Sequence, residues 1–350
     1  MITFLAFFSI LFIVITLLPF IKTGKWWIRI FDYPRLQIAF FILISLVLNF
    51  LYLDLDVKGI VLNVLLIFSL LYHLSLIVKY TPLYKIQAAN VVCENKSNTI
   101  KIIEVNVRMK NRNSHLLINL VKKHLPDVLI VTEPDIWWKN ELEELKQEYP
   151  NILERPLDNT YGLLLYSRFP IKNTEINFLV TDDIPSFFTA VVLPSGLEID
   201  LHCLHPKPPM PGIETYERDT EILLIGKRVK KSGKPSIVVG DLNDVAWSYT
   251  SSLFQRYSGL LDPRQGRGLF NTYNVFIPLL RYPLDHFFYS HHFGLIKLER
   301  LDSVGSDHYP MMVEICYEGD KNHALDKTKA DISDKIEVEE KIQEGKEKAS

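Results

Sequence analysis

Three long apolar stretches crowd the start of the chain, running Met1–Phe20, Leu36–Leu53 and Gly59–Val78. Each approaches the roughly 20 residues that an α-helix needs to cross a hydrocarbon core of about 30 Å. Residues 1–80 therefore read as an all-α transmembrane segment of three helices, and the rest of the chain must fold beside a membrane. The first stretch has no basic leader and no small-residue cleavage signal, so a removable signal peptide is not expected. Lys22, Lys25, Arg29 and Arg35 lie between the first and second stretches. The next loop, Asp54-Leu55-Asp56-Val57-Lys58, is short and acidic, and Lys79 and Lys85 follow the third stretch. The positive-inside rule then expects the first loop and everything after Val78 in the cytoplasm. Trp26-Trp27 with those basic residues would serve as an interfacial anchor on either side.

After the third stretch the apolar density falls, and Thr81-Pro82 breaks any helix. Residues 81–99 read as a linker. Residues 100–318 carry alternating strand and helix patterns. Strands are expected at Ile100–Val107, Asp127–Thr132, Tyr161–Ser167, Phe187–Leu193, Glu198–Leu204, Ser236–Val239, Asp285–Ser290 and Met311–Cys316. Helices are expected at His115–His124, Glu141–Tyr149 and Thr215–Val229. Mixed strands and helices in this order imply an α/β layered domain. Residues 319–350 contain no Phe, Tyr or Trp and many Lys, Glu and Asp, and are expected to be a disordered or loosely helical tail.

Bulk charge narrows the function. The formal net charge is -2, whereas a dedicated duplex-DNA binder needs a concentrated basic surface. The basic run from Lys227 to Lys234 reads as a solvated helix end. Cys93, Cys203 and Cys316 show no metal or redox spacing, and an odd number suggests free thiols.

Several apolar strands stop at a carboxylate, amide or imidazole: Asn106, Glu133, His205, Asp241 with Asn243, Asp285, and Asp307 with His308. Strand ends on one edge of a layered fold are where catalytic groups gather. Phosphoester hydrolysis calls for this inventory: oxygen ligands for a hard cation, a group to activate water, and donors for the phosphoryl oxygens. His124, His291 and His292 read as surface or packing residues. His202 and His205 taken alone would do no more than cap a loop.

In order, Asn106, Pro126-Asp127-Val128 leading to Glu133, Tyr161–Arg168, Leu204-His205-Pro206, Gly240-Asp241-Leu242-Asn243, Leu284-Asp285-His286 and Ser306-Asp307-His308 resemble the endonuclease/exonuclease/phosphatase superfamily. The resemblance spans about residues 100–317 and implies a four-layered α/β sandwich, DNase I-like, with two sheets face to face. It implies Glu133 as principal metal ligand with Asn106 and Asp307 near the same ion, which would be Mg2+, with Mn2+ as a substitute. Asp241 resembles the residue that orients or deprotonates water, and Asn243 a donor to the phosphate. His308 resembles the histidine on the scissile phosphate, held by Asp285, and His205 the second active-site histidine. Arg108 stands where many members carry an acidic residue, which favours one metal over two. Asp158 and Asn159 are candidate supports for His205. Trp26–Arg35 and Tyr80–Tyr84 resemble the leader of bacterial membrane-bound members, which implies a multi-pass protein of the plasma (inner) membrane.

The leading expectation is a membrane-anchored, metal-dependent hydrolase of a phosphomonoester, phosphodiester or pyrophosphate presented at the bilayer, a lipid-linked one included. Arg264, Arg267 and Arg281 are candidate head-group contacts. The alternatives are a membrane-tethered Mg2+-dependent nuclease, permitted by the resemblance but disfavoured by the balanced charge, and a non-catalytic binding protein on the same fold.

Overall fold

The apolar stretches are helical because nothing in them competes for the backbone; the breaks come at Pro19, at Pro34 and around the second loop. The computed structural model describes residues 2–53, 56–319, 321–326 and 329–349. Helices α1 (Ile2–Leu17), α3 (Arg35–Tyr52) and α4 (Val57–Ile77) are long and apolar, with the single turn α2 (Trp26–Arg29) between the first two. Asp56 caps α4, accepting from the Gly59 amide at 2.8 Å; Asp54 and Leu55 of the acidic loop lie outside the described residues.

The three helices pack through Ile38, Ile42, Leu46 and Leu66. Polar side chains are turned inward: Asn49 donates to Ser9 Oγ at 3.0 Å and to Asn63 Oδ1 at 3.1 Å, and Thr16 Oγ1 lies 3.0 Å from His73 Nε2. Phe4, Phe7, Phe40, Phe50, Phe68 and Leu71 face outward and exposed. Such an inverted distribution suits a lipid solvent, where polar contacts between helices are the adhesive. All three helices are long and apolar enough to cross a membrane.

The remainder builds two sheets. Strands β1 (Thr99–Asn106), β2 (Val128–Thr132), β3 (Asn151–Arg155) and β4 (Leu163–Ser167) precede β5 (Ile171–Asn177), β6 (Ser186–Val192) and β7 (Glu198–Cys203). Then come β8 (Ser236–Asp241), β9 (Asp285–Tyr289), β10 (Phe293–Arg300) and β11 (Met311–Tyr317). The first sheet runs β10-β11-β1-β2-β4-β3 and the second β5-β6-β7-β8-β9. Each contains one parallel pair, β1–β2 and β7–β8, and the other pairings are antiparallel.

Period-two alternation makes this a sandwich. On β1, Ile100 and Ile102 face the second sheet, meeting Phe187, Leu201, Ile237 and Val239. Ile103 and Val105 face outward under α5 (Ser114–His124) and α6 (Ile136–Glu141), which contribute Leu117, Val121 and Trp138. On the far side, α7 (Tyr216–Ser232), α8 (Tyr249–Ser258) and α9 (Ile332–Ala349) cover Val238 and Phe288. The four-layered α/β sandwich expected from the resemblance is the observed fold.

Five features differ from the sequence reading. The helix expected at Glu141–Tyr149 is α6 followed by a 3-10 turn, Leu142–Gln147. Strands β3, β5 and β10 carry no alternating apolar run because they lie at or near sheet edges; β5 is exposed along nearly its whole length. The 81–99 segment is not a free linker: Gln87 Oε1 accepts from the Asp262 amide at 2.7 Å, and Ala88 is buried. Cys93 in that segment is disulfide-bonded to Cys316 at the end of β11, with a Cα–Cα distance of 5.8 Å, leaving only Cys203 free. Finally, most of the tail is the helix α9. Val338 and Ile342, four residues apart, bury one stripe against α7 and α8, and Asp334 takes a two-pronged contact from Arg256 at 2.9 and 2.8 Å. Average composition hides so narrow a stripe. Residues 320, 327, 328 and 350 of that tail lie outside the described residues.

Candidate active site

The two parallel pairs end on the same edge of the sandwich, and this is what gathers the polar strand ends. Asn106 closes β1, Glu133 follows β2, His205 follows β7 and Asp241 closes β8. Asp285 opens β9 opposite Asp241, and His308 precedes β11. Backbone detail sharpens the convergence. Glu133 and Asn243 both adopt left-handed φ values, 61° and 50°, turning their side chains back over the strand ends. Gly240, at φ 144°, lets β8 approach so closely that a side chain there would collide with the Leu204 carbonyl oxygen.

Asn106, fully buried, ties the two sheets together. Its Nδ2 donates to Glu133 Oε1 at 2.9 Å and to Asp241 Oδ2 at 3.0 Å. Its Oδ1 accepts from the Arg108 amide at 2.9 Å, which leaves one lone pair. Asp241 Oδ1 accepts from the Asn243 amide at 2.9 Å, while Oδ2 lies 3.6 Å from His308 Nε2 and 3.8 Å from His205 Nε2. His308 Nδ1 is 2.9 Å from Asp285 Oδ2. Asp307 pairs with Arg108 Nε at 3.5 Å. One acid at the cleft therefore already has a cation beside it.

Electrostatics divides the two histidines. Burial alone would lower His308, but Asp285 and Asp241 outweigh it and raise the imidazole to about 10, so it carries a proton at neutral pH. Burial lowers His205 and leaves it neutral. Burial also raises Asp241, which His308 counteracts, and it raises Glu133. Carboxylates crowded in a dry site invite a cation.

A cleft of about 760 Å3 opens above this cluster, with Glu133, His205, Asp241, Asn243, Asp307 and His308 at its base. Asn106 and Asp285 stand behind these and hold them. The ligand atoms of Asp241, Asp285 and His308 lie within 4.8 Å of one another, but a protonated His308 that donates to Asp285 has no lone pair to offer a metal, which leaves the oxygen donors of the cluster for that task.

Sequence reading missed the walls. One wall is Ile30, Tyr33 and Pro34 from the segment joining α1 to α3, and the other includes Tyr273, Ile277, Leu280 and Tyr282. Tyr33 Oη donates to the Asn243 carbonyl at 2.6 Å, and Arg218 Nη1 donates to the same oxygen at 2.8 Å. An aromatic in a connector carries no chemical signature of its own, although Tyr33 stands inside the leader motif.

The three arginines expected at the head group are engaged elsewhere. Arg264 is buried behind β9, bonded to Asp262 Oδ2 at 2.7 Å and close to His286 Nδ1, so it cannot reach the cleft. Arg267 donates to Pro263 O at 2.8 Å, Ala88 O at 2.5 Å and Asn90 Oδ1 at 2.7 Å, fastening the 81–99 segment. Arg281 bonds the Asn274 and Val275 carbonyls of its own loop. Asn159 donates to Asp183 O, and the described carboxylate nearest His205 is Asp241.

A two-sheet α/β sandwich with carboxylates, an amide and two imidazoles at one edge defines a class of hydrolases that act on phosphoesters. The chain belongs to the Endonuclease/Exonuclease/phosphatase family, which it matches over residues 103–308. No curated protein matches the chain. Among solved structures, the human Nocturnin catalytic domain with bound sulfate anion is similar at 16% identity, covering 65% of this chain and 97% of that one, with a TM-score of 0.52. An endonuclease/exonuclease/phosphatase from Bacteroides vulgatus is similar at 16% identity, covering 63% and 99%, with a TM-score of 0.51. That from Beutenbergia cavernae DSM 12333 is 14% identical, covering 63% and 72%, also with a TM-score of 0.51. These likenesses are of fold.

Proposed function

We propose that the chain is a membrane-anchored, metal-dependent phosphoester hydrolase whose substrate is a phosphate or pyrophosphate carried on a lipid. The observation that carries this reading is the origin of the cleft wall: Ile30, Tyr33 and Pro34 belong to the connector between two apolar helices. The opposite loop exposes Phe276, Ile277, Leu279 and Leu280, and Gln37 in the first turn of α3 donates to Leu279 O at 2.6 Å. An apolar rim beside the start of an apolar helix suits a substrate whose tail remains in the bilayer.

Glu133, Asn106 and Asp307 would hold one divalent cation, and their all-oxygen donor set fits Mg2+ or Mn2+. When bound, the ion neutralises charge developing on the phosphoryl oxygens. Asp241, with its carboxylate fixed by Asn106 and the Asn243 amide, orients water and accepts its proton. His308, protonated and held by Asp285, donates to a phosphoryl oxygen, as does Asn243. His205, neutral in the cleft, supplies the second imidazole.

A substrate panel on the full-length protein in detergent tests the reading. Phosphate release from a lipid phosphate or pyrophosphate is expected with Mg2+, lost with EDTA and reduced at least about 10²-fold in Glu133→Gln. Cleavage of oligonucleotides alone would establish the nuclease reading instead.

The orientation follows a different argument from the one charge counting suggested. The first loop's cations are engaged: Lys22 with Glu337 at 2.7 Å, Lys25 with Glu214 at 3.5 Å, and Arg29 and Arg35 with Asp32. Their number therefore says less about the cytoplasm, while a Cys93–Cys316 disulfide belongs in an oxidising compartment. We place the catalytic domain outside the cytoplasm. A C-terminal alkaline phosphatase fusion should be active; a fluorescent, phosphatase-inactive fusion would reverse the assignment.

A further inference from the structure

A second cavity, of about 320 Å3, lies at the junction of the apolar helices and the catalytic domain, away from the cleft. Its floor holds Arg29 and Arg35, which are 7% and 2% exposed. Asp32 sits between them, 3.3 Å from Arg29 Nη1 and in contact with Arg35 Nη2. Arg29 Nη2 also donates to the Pro19 carbonyl at 3.0 Å. With these bonds made, Arg29 Nε and both Nε and Nη1 of Arg35 have no hydrogen-bond partner. Two buried guanidiniums thus share one carboxylate, and unmet donors on a buried charge call for an acceptor.

More positive charge lines the same cavity. Lys79 and Lys341 border it, and neither makes an ion pair with a described residue. Lys22 and Arg256 also border it but are neutralised by Glu337 and Asp334. The other lining carboxylate, Asp219, is held by Arg218 at 2.7 Å. Arg29, Arg35, Lys79 and Lys341 thus line a cavity in which Asp32 lies between the two guanidiniums.

Position selects among anions. The cavity is bordered by Phe20 just beyond α1, Arg35 at the start of α3, and Tyr72 and Leu76 in the last turns of α4. These are the ends of the apolar helices on one side, the depth at which head-group phosphates lie. The Phe20 and Tyr72 rings, with centroids 4.8 Å apart, give the cavity an aromatic lip continuous with the apolar helix surface. We propose that this cavity is a second phosphate site, distinct from the catalytic cleft, which takes the phosphodiester of an anionic phospholipid. The guanidiniums meet the phosphate oxygens with their free donors, Lys79 and Lys341 close over it, and the acyl chains run down the helices.

The test uses the full-length protein in an uncharged detergent with EDTA, and titrates short-chain phosphatidylglycerol, short-chain phosphatidylcholine and inorganic phosphate by calorimetry. Saturable binding of phosphatidylglycerol, weaker for phosphatidylcholine and for inorganic phosphate, is expected. The double variant Lys79→Glu, Lys341→Glu should weaken it at least about tenfold, while Glu133→Gln leaves it unchanged. Both lysines are partly exposed, and an unshifted thermal midpoint confirms that the variant is folded. Inorganic phosphate binding as tightly as the lipid would overturn the lipid assignment. Loss of binding in Glu133→Gln with retention in the lysine variant would assign the ligand to the cleft and overturn the proposal. So would the absence of any binding that depends on the two lysines.

Discussion

Tyr33 ties the connector between α1 and α3 to the floor of the cleft. Its hydroxyl and the Arg218 guanidinium grip one carbonyl oxygen, that of Asn243, which stands in a left-handed conformation next to Asp241. Removing one such bond costs about 1 kcal/mol, so Tyr33→Phe should lower kcat about fivefold with little change in metal dependence. Unchanged kcat would show that Arg218 alone fixes the turn. A second residue, remote from the cleft, governs stability. Glu221 is buried, with Ser186 Oγ donating to it at 2.6 Å, and burial pushes its carboxyl from 4.5 to about 7. Between those values the folded chain holds a proton that the unfolded chain has released. Its contribution is therefore complete below pH 4.5 and lost as pH rises through 7. Glu221→Gln should flatten the fall of the thermal midpoint across that window and stabilise the protein at pH 8, by at most about 3 kcal/mol. An unaltered pH profile would contradict this. The residues that converge at the cleft were legible in the sequence because strand-end acids, amides and imidazoles stand out there. Arg264 and Arg267 misled because a sequence shows charge but not the Asp262 carboxylate or the Ala88 carbonyl that absorbs it.

At the level of elements, the central strands were readable because they are buried on both faces, whereas β3, β5 and β10 lie towards the margins of their sheets and carry no periodic signal. The C-terminal helix was hidden by charge. Among the described residues of α9, Val338 and Ile342 supply the buried apolar stripe, the small Gly345 lets the helix approach Thr220, and Asp334 holds Arg256. Val338→Asp would bury a charge without a partner and cost about 3 kcal/mol, enough to detach the helix. Limited proteolysis should then cut within 332–349 in the variant while sparing the wild type; equal cleavage of both would mean that α9 is loose already. The disulfide is a further element-scale correction: Cys93 and Cys316 are separated by 223 residues, and the pairing of Thr99 with Cys316 together with the bridge from Asn90 to Leu295 brings them within reach.

As a whole, the molecule is a sandwich of the Endonuclease/Exonuclease/phosphatase family joined to three apolar helices, whose connector forms one wall of the cleft. The connector meets the domain through Trp247 Nε1 donating to Asp32 O at 2.8 Å and the Trp26 amide donating to Glu214 at 2.6 Å. Such contacts between distant segments cannot be read from either alone, which is why the sequence pointed to apolar helices and to a phosphoesterase-like domain but not to their union. The direct test of that union is the rate of phosphate release from a lipid phosphate diluted into vesicles that carry the full-length protein. The rate should follow the mole fraction of substrate in the bilayer at constant bulk concentration, and fall away for a soluble analogue with the same head group. A rate set by bulk concentration alone, equal for the soluble analogue, would contradict the account.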